Sequence, residues 1–377
     1  MNPSSVVLLA ALLAGPAMVA DLATASADSR GVSESLRREA RAALDRGANW
    51  LIRHQAESGA WSNPEFPALT GLPVWALAGA GRAGDPAVSN GVAYILSCVR
   101  PDGSIWVDPT EERKGGGLSN YNTAICMVAL HAVNDPRLAE AVGNARRFIA
   151  GTQHRGSDAY RGGMGYDPDT GRAYADLSNS YIGYEAMHLT QRLEDLREDE
   201  PDADLDWAAA EAFVSSLINT DGGFIYKPDM SQAGAETNAT GDVTLRSYGS
   251  MTYAGLLSLI YADVEPDDPR VTSAFEWAAT HWTLAENPGM GQEGLYYFYN
   301  VLAKSLAAYG RDIFRTGDGT TIDWRARLIR RLLNLQKTDP AHGDGYWVND
   351  AGRWFEADPV LVTAYAMIAL EVALGDL

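Results

Sequence analysis

Along this chain the apolar positions return with a helical period in segment after segment, and the segments alternate between two kinds. In the first kind a charged face opposes the apolar one, as with Arg37, Arg38, Glu39, Arg41 and Asp45, or with Arg325, Arg327, Arg330 and Arg331. In the second kind polar residues are isolated, and these runs span 69–80, 120–133, 178–189, 247–262, 292–309 and 359–374. Two-faced helices belong on the outside of a fold and all-round apolar ones inside it. Six alternations predict twelve helices. Full burial of the second kind requires closure, so the pattern predicts an all-α protein, a closed α6/α6 toroid of six helix pairs.

The connections within each pair also repeat. Trp50 precedes Gly59 by nine residues, Tyr94 precedes Gly103 by nine, and Phe213 precedes Gly222 by nine. Looser copies run from Phe148 and Gln153 to Gly162, from Trp277 to Gly289, and from Leu332 and Gln336 to Gly345. A Gly in this place suits positive φ at a helix C-terminus, with the following aromatic wedging neighbouring units together. Gln55 is expected to bond backbone groups of the adjacent unit. Three of the connections read as short β-hairpins at one rim: 166–174 across Asp169-Thr170-Gly171, 225–245, and 346–355 across Asn349-Asp350-Ala351-Gly352, with Trp347 and Trp354 as rim aromatics.

The segment "RGANWLIRHQAESGAW", residues 46–61, carries Arg46-Gly47, Trp50-Leu51, Gln55 and Gly59-x-Trp61 at the spacing of the QW motif. In this it resembles the squalene and oxidosqualene cyclases, and the degenerate copies extend the likeness to the prenyltransferase and squalene-cyclase repeat superfamily over nearly the whole chain. The resemblance implies an α/α toroid whose lumen takes an isoprenoid. It also implies an Asp-x-Asp-Asp acid at the start of an inner helix, where this chain reads Ser119-Asn120-Tyr121-Asn122-Thr123-Ala124. Asp202-x-Asp204-x-Asp206 has another spacing and precedes an outer helix, where carboxylates suit the helix dipole. The zinc site of the protein prenyltransferases needs Asp-x-Cys, and neither Cys98 nor Cys126 follows an Asp by two.

Of 377 residues, 46% are hydrophobic, enough for one large core, and the formal net charge of −19 argues against nucleic acid or an anionic membrane as partner. Two cysteines, each in an apolar segment, are expected as buried free thiols. The run 6–14 followed by Ala25-Ser26-Ala27 reads as a signal peptide cleaved before Asp28, although no Lys or Arg precedes it. Residues 28–377 are then one exported domain, periplasmic or secreted, with no further stretch long enough to span a bilayer.

Polar residues on the inner segments mark the candidate site. Glu293, Tyr297, Asn300 and Lys304 fall on one helical face, and so do Ser178, Tyr181, Glu185 and His188. With Asn122, Tyr248 and Tyr365 they supply ligand-binding candidates, the aromatics suiting an apolar ligand, a carbocation or a sugar. Charges buried here need partners, so Glu185, Lys304 and Glu293 are expected in pairs or facing water. Asp176 and Asp358, near inner-helix starts, join Glu293 as candidate catalytic carboxylates at the mouth, where helix N-termini would favour an anionic group. No cofactor and no metal are called for: the six histidines are scattered singly, and Asp167-x-Asp169 reads as a turn. The leading functional expectation is an exported toroid that binds an isoprenoid or other apolar ligand. Alternatives are a polysaccharide-processing α/α-barrel enzyme, which needs two carboxylates flanking a cleft, and a non-catalytic scaffold holding an exported protein partner.

Overall fold

The computed structural model describes residues 31–109, 117–167, 175–194 and 203–376. The expected signal peptide, the 168–174 turn of the first expected hairpin, and Asp202 lie outside the described residues. Twelve helices of ten residues or more run through them: α1 Glu34–Arg53, α2 Ala68–Leu77, α3 Pro86–Ser97, α4 Ser119–Ala132, α5 Ala139–Thr152, α6 Leu177–Leu189, α7 Trp207–Ser216, α8 Gly249–Tyr261, α9 Pro269–Thr280, α10 Leu295–Tyr309, α11 Trp324–Leu335 and α12 Pro359–Leu374. None is long and apolar enough to cross a membrane.

Odd-numbered helices are two-faced. On α1 the buried residues include Leu36, Ala40, Ala43, Leu44, Gly47 and Leu51, a stripe at i, i+4, i+7 and i+8. Five of the six outer helices start at side-chain caps: Ser33 for α1, Asp206 for α7 and Asp323 for α11, with Asp-Pro at Asp85-Pro86 for α3 and Asp268-Pro269 for α9. Asp206 and Asp204 are thereby accounted for, the latter accepting from the Trp207 indole at 2.9 Å. Even-numbered helices are buried all round; on α12 every residue from Val360 to Leu374 is. Each even helix packs on its even-numbered neighbours, and α12 packs back on α2, so the inner ring closes.

The repeated connection works differently from a helix cap. Helix α1 ends at Arg53, and Gly59 lies beyond it in a turn, with φ 85°. Such a glycine touches the next outer helix. A Cβ on Gly162, at φ 94°, would lie 2.0 Å from the Ala209 carbonyl oxygen of α7, and one on Gly59 would lie 2.5 Å from that of Asn90 on α3. Close approach as well as backbone conformation excludes a side chain. Two residues on, the chain donates a backbone N–H to a hydroxyl of the inner helix: Trp61 to Thr70 at 3.0 Å, Ile105 to Thr123 at 2.8 Å, Met164 to Ser180 at 2.8 Å, Phe224 to Thr252 at 3.1 Å, and Trp347 to Thr363 at 3.0 Å. The Gln55 amide donates to the Gly59 carbonyl and to Ala87 of the next unit. Gln336 does the same across the ring closure, donating to Ala43 of α1 at 2.8 Å and accepting from Arg46.

Three two-stranded hairpins decorate the connections: 235–245, 313–323 and 337–346. The expected 346–355 hairpin is not formed. There Asn349 and Glu356 tie the chain to the start of α10, and Arg353–Phe355 makes a tight turn with Trp354 in the left-handed region. Trp347 is not a rim residue: it is fully buried, its indole donating to the Leu332 carbonyl at 2.8 Å. Cys98 and Cys126 are buried free thiols.

Candidate functional site

The six inner helices begin at the same end of the ring, and side-chain acceptors meet their first N–H groups. Asn122 accepts from Ala68 of α2 at 3.0 Å, Asp167 from Ser119 of α4 at 2.6 Å, Asp176 from Asn179 of α6 at 2.9 Å, Asn287 from Ser250 of α8 at 3.0 Å, Glu356 from Tyr297 of α10 at 2.8 Å, and Asp358 from Val360 of α12 at 2.9 Å. The N-terminal partial charges expected to draw an anionic ligand are already answered by the protein's own carboxylates and amides.

Between these helix ends opens a cavity of about 300 Å³. Nine aromatic side chains line it: Phe66, Tyr121, Tyr166, Tyr226, Tyr248, Tyr297, Trp354, Phe355 and Tyr365, joined by Leu69, Leu72, Leu118, Met251 and Leu361. Its polar side chains are few, chiefly Asn122, Ser178, Gln232, Ser250 and Glu356. An apolar, aromatic concavity with a small number of placed polar groups is the usual form of a small-molecule site.

Solved structures with the same architecture include a variant of the type II terpene cyclase MstE from Scytonema in complex with geranylgeranyl dihydroxybenzoate (TM-score 0.54, 13% identity, 92% of this chain and 100% of that one) and the apo form of MstE (TM-score 0.53, 14% identity, 90% and 99%). The fold is the terpene-cyclase toroid. No protein-family model matches the chain, and no curated protein does.

Within this terpene-cyclase toroid the two polar stripes meet across the lumen at two levels, with Glu293 left at the rim. Ser178 of α6 and Tyr297 of α10 share a hydrogen bond of 3.1 Å in the cavity wall. Two turns deeper, the Lys304 ammonium of α10 lies 2.9 Å from the Glu185 carboxylate of α6 and 4.0 Å from the ring centroid of Trp75 on α2. Helices α2, α6 and α10 alternate around the ring, so Lys304 closes the lumen from three sides. Burial lowers the Lys304 pKa and Glu185 opposes that shift. Asn300 is buried between the two levels, reaching the Tyr365 carbonyl at 3.5 Å, and Tyr365 pairs with Tyr121, hydroxyl to hydroxyl, at 3.3 Å. Tyr181 is buried with no partner for its hydroxyl, and His188 lies further down against Tyr261.

The three carboxylates expected to flank a cleft lie apart from the cavity lining. Glu293 is half exposed in an ion pair with Arg353 at 2.6 Å. Asp358 caps α12 and accepts from Ser62. Asp176 is fully buried behind the wall, held by both nitrogens of Asn179 and by the hydroxyl of Tyr226; burial pushes its pKa up to about 6. Among the described residues, the carboxylate that does line the cavity is Glu356, which the sequence pattern passed over. Its pKa is raised by burial, against the N–H groups of Tyr297 and Tyr296 and the Asn349 amide that it accepts from. Its signal, an acid just before the Asp-Pro that starts α12, resembles an ordinary helix-start acid. No group of three metal-ligating side chains occurs among the described residues.

At the rim, Trp354 and Phe355 stand exposed with φ of 55° and 66°, a conformation that costs bulky residues of order 1–3 kcal/mol each. Arg353 holds them by stacking on Trp354, pairing with Glu293 and donating to Gln232 at 2.7 Å, and Phe355 meets Phe66 edge-on.

Proposed function

We propose that the protein binds a neutral, apolar ligand of the isoprenoid class in the cavity at the starts of its inner helices. The carrying observation is the chemistry of that wall: nine aromatics and five aliphatics around about 300 Å³, closed below by Lys304 and Glu185. That volume lies at the low end for ligand pockets, so one compact chain fits. A diphosphate head is disfavoured, because the helix N-termini are already capped and Arg353 is engaged with Glu293. Glu356 is the titratable carboxyl of this wall among the described residues, and burial raises its pKa. The substrate held by the similar cyclase, geranylgeranyl dihydroxybenzoate, supports an isoprenoid chain as the ligand class. The N-terminal 27 residues support an encounter outside the cytoplasm. A sugar-processing role finds less support, since it needs two carboxylates on one cleft and Glu356 lines this one alone among the described residues.

The test is native mass spectrometry of residues 28–377 with organic extraction, followed by titration of stripped protein with geranylgeraniol, read by intrinsic fluorescence. Retained or titrated isoprenoid is expected, and Leu361→Trp, which fills the cavity, should lose it while keeping the fold by circular dichroism. Bare mass together with a flat titration would sink the reading.

A further inference from the structure

A second concavity lies on the outer wall, between α9, α11 and the hairpin 313–323. Its volume is about 590 Å³. Arg327, Arg330 and Arg331, at i, i+3 and i+4 on α11, present their side chains along one side of it. The hairpin turn forms the other side, docked on α9 by the Gly317 N–H to the Ala279 carbonyl at 3.3 Å. Trp282 supplies an apolar wall, fixed edge-on against Phe314.

The charge arrangement is unusual for this molecule. The chain carries a net −19, yet Arg327 and Arg330 make no ion pair or hydrogen bond to any described residue. Arg331 makes one, its Nε donating at 3.0 Å to the hydroxyl of Tyr299, which itself donates to the Leu284 carbonyl. That bond fixes a half-buried guanidinium and leaves its Nη atoms without a protein acceptor. The carboxylate in the groove, Asp318, is held by the Thr316 hydroxyl and the Thr320 N–H, which lower its pKa to about 2. It stays ionised but is engaged in its own turn. Three guanidiniums against one committed carboxylate leave the groove with an excess of two positive charges.

We propose that this groove is a binding site for a small multivalent oxyanion, carrying two or more carboxylate or phosphate groups, spanned by Arg327, Arg330 and Arg331. Guanidinium forks match both oxyanions bidentately, and charge-assisted bonds of this kind are about twice as strong as neutral ones. The site stands independently of the apolar cavity, because its residues belong to the outer wall.

Calorimetric titration of the whole chain with citrate and with inorganic pyrophosphate, at about 0.15 M salt, separates carboxylate from phosphate chemistry. At least one of the two should bind, acetate should not compete, and Arg327→Gln with Arg330→Gln should weaken binding at least about tenfold. Asp318→Asn, which keeps the turn's acceptor and removes its charge, should tighten it. Heat release that is unchanged in the double Arg variant, or absent for both anions, overturns the proposal. Binding of an acidic peptide where neither small anion binds overturns it too, in favour of a protein partner.

Discussion

The Lys304 ammonium meets the Glu185 carboxylate at 2.9 Å, joining two helices that are not neighbours in the inner ring. Helix α8 stands between α6 and α10 on that side, so the pair is a strut across the lumen as well as its floor. Both side chains are nearly buried, at 9% and 6% exposure, so each charge depends on the other for what water no longer supplies.

Removing one member should therefore cost more than removing both. Lys304→Met and Glu185→Gln are each expected to lower stability by about 3–5 kcal/mol, and the double variant to recover much of that loss. Urea unfolding of the three variants decides it; singles as stable as the parent would mean the pair contributes nothing.

Gly162→Ala should be among the most damaging small substitutions in the chain. Its Cβ would press on the Ala209 carbonyl at 2.0 Å, and its φ of 94° is one that alanine avoids. Gly81, at φ 75° with open space around it, provides the comparison. Gly81→Ala is expected to cost about 1 kcal/mol, and Gly162→Ala several times more. Equal shifts in melting temperature would reduce the effect to backbone conformation alone.

The hydroxyls that receive the turns make a third prediction. Thr123→Val keeps the volume of the side chain but strands the buried Ile105 N–H, at a cost of about 1–3 kcal/mol. Thr252→Val should cost a similar amount through Phe224. Hydrogen exchange at those two amides reports the loss directly, and unchanged protection would refute the role.

Stability should also report Asp176. Its pKa is about 6 in the folded protein because of burial, above the ordinary value near 4. As pH rises from about 4 the unfolded chain ionises this group first, so the parent loses stability relative to Asp176→Asn until pH passes about 6, and the gap is constant above that. A gap independent of pH across that window would place the folded value at the ordinary one.

Periodicity carried the toroid because burial all round leaves a mark on every position of an inner helix, and because Gly59, Gln55 and Trp61 recur in copies. The polar stripes were legible too, and the ring supplies the phase that turns them to the lumen: Ser178 and Tyr297, and Glu185 and Lys304, meet as pairs from stripes assigned to separate helices. The cavity rim was legible only in part: the connections read as rim hairpins do supply Tyr166, Tyr226, Trp354 and Phe355, whereas Phe66 lies in a connection that carries no such pattern, and all five converge only because the units close into a ring. Glu356 escaped for a related reason, since the N–H groups that hold it belong to α10, about sixty residues earlier in the chain. The Ser and Thr acceptors of the turn N–H groups are the missed signal most open to sequence reading, since they hold the third to fifth places of the inner helices.

Because α12 lies against α2, and the guanidinium of Arg37 sits 3.0 Å from the Leu374 carbonyl, the first and last described helices share a seam, which Gln336 bridges as Gln55 bridges the first two units. A linear array of repeats peels apart from whichever terminal unit is held on one side only. Here every unit is clasped on both sides, and to loosen one is to open two interfaces at once. The ring thus exchanges gradual fraying for a single concerted collapse, and it keeps its cavity intact until the whole molecule gives way.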